Sequence, residues 1–411
     1  MDLQALDLPI LHILRGLRPW TKKTYWDVVH DLATNKPGAR GDFRLLMRLG
    51  APVNGFRQED DHWKRWHTPM CRVVHQRNVE AAAFLVELGA DVNLEEDEGE
   101  DILEIALWGQ GGQPDWAMVR FLLQSLDVNR RRKETVYIND GWCTEYEKLR
   151  HYDRNQDDEW NPSVPVLLAL RGQTELLGIA LDAGWEIEEG EDGREETRLI
   201  AASFGGHTDT VALLLSRGAS LQKQGRFGDT ALSAACMGEK REVVELLLAH
   251  GAEVNQEPQQ RGLYTALGRA AQRCDSGLID LLISRGAAVD GTGSNGKWPL
   301  LLATLAKDIQ PAERQREVCQ SLINKGADVK KRYAMPYSDN APVPQSTILH
   351  YLYRAQKYEE LDHSLIRILT EGGADVNAED RGGDTVKSLE ERSRQRSERC
   401  SARTWRLPNF Y

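Results

Sequence analysis

Several stretches of the 411-residue sequence carry residue types whose spacing could do chemistry. GTGSNGKW at 291–298 contains both G-x-G-x-x-G (Gly291, Gly293, Gly296) and G-x-x-x-x-G-K (Gly291, Gly296, Lys297). A phosphate loop needs a buried strand before it, a helix N-terminus after it, and Ser or Thr after the Lys to reach magnesium. Trp298 fills that last position, and glycines suit any tight turn, so no nucleotide site is expected. HWKRWH at 62–67 follows Glu59, Asp60 and Asp61, but two His five residues apart in a polar stretch read as solvated side chains. His151, Asp153, Asp157, Asp158 and Glu159 lack the alternating oxygen ligands and central Gly of a calcium loop. No C-x-x-C links Cys71, Cys143, Cys236, Cys274, Cys319 and Cys400, so zinc-ribbon and thioredoxin-like sites have no starting point. The thiols are expected to be reduced and inert. No catalytic, cofactor-binding or metal-binding residue is assigned.

Charge and hydropathy narrow the setting. With 52 Lys plus Arg against 63 Asp plus Glu, the net charge of −11 argues against bulk nucleic-acid binding. No apolar run approaches the ~18 residues of a membrane span. The N-terminus places acids first, and His12 and Arg15 break its short apolar patch, which makes a poor secretory signal. A cytoplasmic address is expected, with RRRK at 130–133 offering nuclear entry as a second one. A 41% hydrophobic content suffices for a core. The 11 Trp in a chain only 7% aromatic ask where they fall.

The elements that must position these residues repeat. GADVN occurs at 89–93 and 373–377, with variants GAPVN at 50–54, GAEVN at 251–255, GAAVD at 286–290, GADVK at 326–330 and GASLQ at 218–222. GWEIE at 184–188 and SLDVN at 125–129 are degenerate copies. From Gly184 to Gly286 the spacings are 34, 33 and 35 residues, the signature of a stacked solenoid in place of separate globular domains. Within a repeat, a Thr whose hydroxyl can cap the first turn opens a short helix. A second helix with an apolar stripe follows, and Gly closes it in a left-handed cap. Thr68 to Gly89, Thr197 to Gly218, Thr230 to Gly251 and Thr265 to Gly286 are all 21 residues apart.

TPMCRV at 68–73, VPVLLA at 164–169, TRLIAA at 197–202, TALSAA at 230–235, TALGRA at 265–270, WPLLLA at 298–303 and TILHYL at 347–352 complete the pattern. Together with the Gly markers they resemble the ankyrin repeat family over roughly residues 20–390. The resemblance implies an all-α solenoid of stacked helix-turn-helix pairs, about nine repeats, with β-hairpin-like fingers between them. Residues 1–20 read as an N-terminal capping helix, 21–384 as the array, and 385–411 as a C-terminal cap and tail. The family His appears in its slot only at His350, so the inter-repeat hydrogen bonds it makes elsewhere are expected to give way to local packing. The irregular array also resembles ankyrin proteins common in filamentous fungi, some associated with secondary-metabolite gene clusters.

Insertions interrupt the period. Thr24–Gly50, Trp298–Gly326 and Thr347–Gly373 are longer than 21 residues, which is expected to lengthen the turn between helices. Residues 130–162 form the largest insert, expected to order as a flap. Finger charges run from acidic (LEEDEGED at 94–101, EIEEGEDGREE at 186–196) to basic (Lys297, Lys330, Lys331, Arg332). Trp63, Trp66, Trp142, Trp160, Tyr264, Trp298 and Tyr333 fall in fingers or inserts, where hot-spot residue types gain little from folding alone. They are the candidate partner-binding residues. By resemblance the chain is a non-enzymatic protein–protein interaction scaffold or adaptor, expected to be monomeric and to bind a protein through groove and fingers, without cofactor, nucleic acid or membrane. An accessory role in a fungal metabolic pathway is one setting. Two alternatives stay open. LDLPILHILRGL at 6–17 is similar to the opening of an F-box, which would suit a ubiquitin-ligase substrate adaptor. An enzyme using the 130–162 insert as a lid is the other.

Overall fold

The structure, a computed structural model, describes residues 22–55, 68–92, 102–108, 115–125, 164–188, 196–225, 228–258, 264–291, 298–306, 311–332, 346–355, 362–380, 383–389 and 391. The chain divides into two compact units, residues 1–168 with 173–186, and residues 169–172 with 187–411. Unit 1 holds α1 (Lys22–Ala33), α2 (Ala39–Arg48), α3 (Pro69–His75), α4 (Val79–Glu87), α5 (Ile102–Trp108) and α6 (Trp116–Ser125). Helix α7 (Val164–Leu170) crosses the division, and α8 (Thr174–Asp182) returns to unit 1. Unit 2 holds α9 (Arg198–Gly205), α10 (Thr208–Ser216), α11 (Ala231–Met237), α12 (Arg241–Ala249), α13 (Ala266–Gln272) and α14 (Ser276–Ser284). It continues with α15 (Pro299–Thr304), α16 (Ala312–Asn324), α17 (Ile348–Ala355) and α18 (His363–Glu371). Among the described residues there is no sheet; one antiparallel bridge joins Glu379 and Thr385.

Each unit is a stack of helix pairs of the ankyrin type. First helices pack on the first helices of the next pair, as α9 on α11 and α11 on α13, and α9, α11 and α13 each pack on their own second helix. Sequence explains the local geometry. Thr68, Thr197, Thr230 and Thr265 accept the N–H of the third helical residue, Cys71, Ile200, Ser233 and Gly268, at 3.1, 3.1, 3.1 and 3.3 Å. Each cap satisfies a donor the helix itself leaves open. At the other end Gly50, Gly89, Gly184, Gly218, Gly251, Gly286, Gly326 and Gly373 all have φ between 86° and 107°, the left-handed region where a Cβ is penalised. Every residue of α9 from Arg198 to Phe204, and all of α11 and α13, is buried. Such short helices survive because neighbours cover them on both sides, since an isolated seven-residue helix is unstable in water. The second helices bury only a stripe, Val243, Val244 and Leu247 in α12 or Leu278, Ile279 and Leu282 in α14.

Two insertions differ from expectation. Thr24 does not open α1; it lies inside that helix, which starts at Lys22 and runs for 12 residues. The added residues therefore lengthen the helix before the turn. Tyr25, Val29 and Leu32 form its buried stripe, and the Tyr25 hydroxyl donates to the Pro52 carbonyl at 2.9 Å. In Trp298–Gly326 part of the insertion also lengthens a helix, since α16 runs for 13 residues where α10, α12 and α14 run for nine, whereas in Thr347–Gly373 α18 keeps nine. Residues 1–21, the 130–162 insert, and most of 385–411 lie outside the described residues. Thr385 caps the start of a helical turn at 386–389 by accepting the Ser388 N–H.

Candidate functional site

The finger stems follow the closing glycines, and side chains set their spacing. Asn54 accepts the Asp91 N–H at 2.8 Å in unit 1. In unit 2, Glu188 accepts from Ser220 N–H, Asn255 from Ala288 N–H at 2.9 Å, and Asp290 from Asp328 N–H at 2.9 Å. Each acceptor is the residue four past a marker Gly, and each donor is two past the next marker Gly. That position explains the Asn of GADVN: its oxygen reaches the neighbouring finger and fixes the distance between repeats. Asn255 also donates to the Gly286 carbonyl at 2.9 Å. Where Gln222 fills the acceptor slot, glutamines take over. Gln256 donates to the Gln222 carbonyl at 2.7 Å, and Gln224 to the Glu257 carbonyl at 2.8 Å. Asn255→Ala is expected to lower the unfolding free energy of unit 2 by about 1–2 kcal/mol, and Asn255→Asp by less because its acceptor remains. Urea unfolding of the two variants checks the order.

Beneath the fingers lies a buried polar cluster in unit 2. Asp229 and Arg269 are only 1% and 5% exposed, and the guanidinium binds the carboxylate through Nε at 3.1 Å and Nη2 at 2.9 Å to both oxygens. The Ser233 hydroxyl donates to Asp229 Oδ1 at 3.1 Å, and Arg269 Nη1 donates to Gln272 Oε1 at 3.3 Å. Ser233 occupies the slot of the family His, and Gly268 occupies it in the next repeat. The expectation that packing alone replaces that His is therefore corrected: here a charged pair spanning 40 residues joins the two repeats. A buried carboxylate needs a partner, and the next first helix supplies one. Further along, His350 does what the resemblance implies. Its Nδ1 accepts from the Thr347 hydroxyl at 2.7 Å, and its Nε2 donates to the Asp384 carbonyl at 2.9 Å.

Two of the seven candidate aromatics are described. Tyr264 precedes the Thr265 cap, half-buried, with the Arg269 guanidinium 4.8 Å from its ring. A Cβ at Gly268 would stand 3.1 Å from Tyr264 Cβ, so the missing side chain leaves room for the tyrosine. Trp298 takes the N-cap position of α15 itself and makes no side-chain cap. Its half-buried ring lies 4.8 Å from Lys331 Nζ, contributed by the next finger. Both aromatics thus sit at helix openings under a cation. Trp63, Trp66, Trp142, Trp160 and Tyr333 lie outside the described residues, as do the acidic runs at 94–101 and 189–195, Lys297 and the F-box-like segment. The ladder acceptors were legible as a polar residue four past each Gly. Asp229 and Arg269 were not singled out, although an Arg inside the apolar TALGRA helix signals a buried counter-charge.

Nothing in these groups is arranged for acid–base or nucleophilic chemistry. Cys71, Cys236, Cys274 and Cys319 are buried and free, and burial pushes the Cys274 thiol up to about 11 and those of Cys236 and Cys319 further. They stay protonated and poorly nucleophilic. Among the described residues no cluster of His, Cys, Asp or Glu is placed to hold a metal ion. No helix there is long and apolar enough to cross a membrane. His207 is held below its ordinary value of 6.5, chiefly by burial and further by the charges of Lys240 and Arg171, while its Nε2 bond to the Leu170 carbonyl opposes the shift. Burial, with Arg72 and Arg77, does the same to His75. The unfolded chain binds these protons more tightly, so the stability present above pH 6.5 is lost as pH falls through the folded values. A His207→Gln variant should show a shallower loss of unfolding free energy between about pH 7 and pH 5 in denaturant titrations.

The family described as "Ankyrin repeats (3 copies)" matches residues 166–258, which contain the helix pairs α7–α8, α9–α10 and α11–α12. Those three helix pairs are ankyrin repeats. A curated ankyrin repeat relative, the "Ankyrin repeat and KH domain-containing protein mask-1" of Caenorhabditis elegans, is 33% identical over 132 residues. That match covers 32% of this chain, and the chain spans 5% of the relative's length. Two solved ankyrin repeat domains are also similar. The human ASB11 domain has 22% identity and a TM-score of 0.43, covering 55% of this chain and 91% of that one. The domain of Bcl-3, described as a unique member of the IkappaB protein family, has 24% identity and a TM-score of 0.41, covering 55% and 93%. Ankyrin repeats are in general protein–protein interaction modules.

Proposed function

We propose that this ankyrin repeat protein is a non-enzymatic recognition scaffold whose unit 2 captures a protein partner on its fingers. The finger-to-finger ladder carries this reading. Glu188–Ser220, Asn255–Ala288 and Asp290–Asp328 hold successive stems at fixed separation, so the surface exists before the partner arrives and little ordering entropy is lost on binding. Half-buried Tyr264 and Trp298 at the finger bases supply anchors of the type that dominates interface energetics. An accessory role in a metabolic pathway would be one use of such a surface.

Paired charge changes test the face. Gln222→Arg with Glu253→Arg alters two exposed finger positions, and Asp209→Arg with Glu242→Arg alters two exposed positions on second helices. In affinity capture from the native cell, the finger variant is expected to lose proteins that wild type and the helix variant retain, at an unchanged thermal midpoint. Retention by the finger variant with loss by the helix variant would place the partner on the other face and overturn the reading.

A further inference from the structure

Two lysines of unit 2 are paired with acids: Lys223 Nζ is 3.3 Å from Glu188, and Lys325 Nζ is 2.9 Å from Asp280. The finger at 326–332 differs. Among the described residues no carboxylate lies within ion-pair distance of Lys330 or Lys331, in a chain with more acids than bases. Lys330 is exposed, and its stem runs past Gly373, 3.4 Å from where a Cβ there would stand. Lys331 is parked over the indole of Trp298 at 4.8 Å. Arg332 is exposed and donates to a carbonyl, that of Glu379, at 3.0 Å. Trp298 itself stands where the preceding repeats place a capping Thr, and it gives α15 no side-chain cap. Local stability is thus given up to keep an indole at the foot of three consecutive cations.

Resting on the proposed partner capture, we infer that this finger and Trp298 form the docking site for an extended acidic segment of the partner protein, with an apolar side chain beside its carboxylates. Alternate side chains of an extended segment face the same way about 7 Å apart, so one such segment presents more than one carboxylate to the finger. A carboxylate arriving at Lys331 draws its ammonium off the indole, and the uncovered ring face receives the apolar neighbour. The cations pull in acidic partners and repel basic ones, and the indole supplies the apolar contact. The chain's overall negative charge disfavours nucleic acid as the occupant.

Fluorescence anisotropy on the full chain tests this with three labelled probes: a Glu-rich peptide interspersed with Leu and Phe, its Gln analogue, and a single-stranded oligonucleotide. Variants are K330E with K331E, Trp298→Thr, and the charge-matched control Arg285→Glu with Lys325→Glu. Thr at 298 restores the cap, which offsets the burial lost with the indole, and the thermal midpoint of each variant is measured beside its binding so that unfolding is told apart from lost contact. Wild type and the control are expected to bind the Glu peptide, more weakly as salt rises and more tightly than the Gln analogue. The K330E/K331E and Trp298→Thr variants should each bind at least roughly tenfold more weakly. Equal binding of the Gln analogue, or wild-type affinity in both variants, would overturn the inference. So would an oligonucleotide that binds more tightly than the peptide and is lost in the same variants. If the Glu peptide fails while captured proteins still depend on the fingers, this inference falls and the scaffold reading stands. If finger dependence is absent as well, both fall.

Discussion

Arg269→Ala is expected to lower the unfolding free energy of unit 2 by about 3–5 kcal/mol, because it leaves a buried carboxylate without its counter-charge. Asp229 is 1% exposed and receives three guanidinium contacts between 2.9 and 3.1 Å, together with the Ser233 hydroxyl. Removing the Arg takes these three contacts from Asp229, and it also strips the cation from the Tyr264 ring. Removing both charges together is different. Asp229→Leu with Arg269→Leu is expected to recover much of the loss, since apolar replacements of buried pairs are often near neutral. The pair is separated by 40 residues and joins two repeats, so the damage should localise. In a stack whose stability is a sum of repeat and nearest-neighbour contributions, hydrogen exchange should accelerate in α13 and α14 before α9. Urea unfolding with exchange mass spectrometry reads both the magnitude and the place.

His350→Ala is expected to cost about 2 kcal/mol, by taking the acceptor from the buried Thr347 hydroxyl and one of two donors from the Asp384 carbonyl, which keeps the Asp380 N–H. The ring is fully buried and bridges residues 34 apart, which ties the last finger to the first helix of its repeat. The Nδ1 acceptor faces Thr347, and the Nε2 hydrogen faces Asp384. His350→Gln keeps a donor of similar reach and should lose less than alanine does. Thermal denaturation of the pair measures the difference; equal losses would mean that ring packing, and not the two hydrogen bonds, holds this end.

These two ties mark where reading the sequence succeeded and where it stopped. The Thr that opens a repeat and the Gly that closes it act within one helix, through a cap and a left-handed φ, so spacing alone reveals them. Thr197 to Gly218 and Thr230 to Gly251 are found as expected, with cap and φ both in place. His350 was legible because its slot lies three residues after the opening Thr347, within the same helix start. Thr24 misled because α1 is continuous through it, and a Thr with apolar neighbours looks the same inside a helix as at its end. The Asp229–Arg269 pair was missed because its two halves lie in different repeats, and neither Asp before Thr nor Arg after Gly identifies its partner. The aromatics divide likewise. Tyr264 is held by Arg269 and roomed by Gly268, so its position has a folding reason, whereas Trp298 sits where a cap would serve folding better.

Recognition through the fingers of unit 2 is tested most directly by amide hydrogen exchange on the full chain with and without a captured partner. Protection is predicted at the stems 219–225, 252–258, 287–291 and 327–332, strongest beside Trp298, with the exposed faces of α10, α12 and α14 unchanged. Protection confined to those second helices, with the finger stems exchanging as in the free protein, would contradict it.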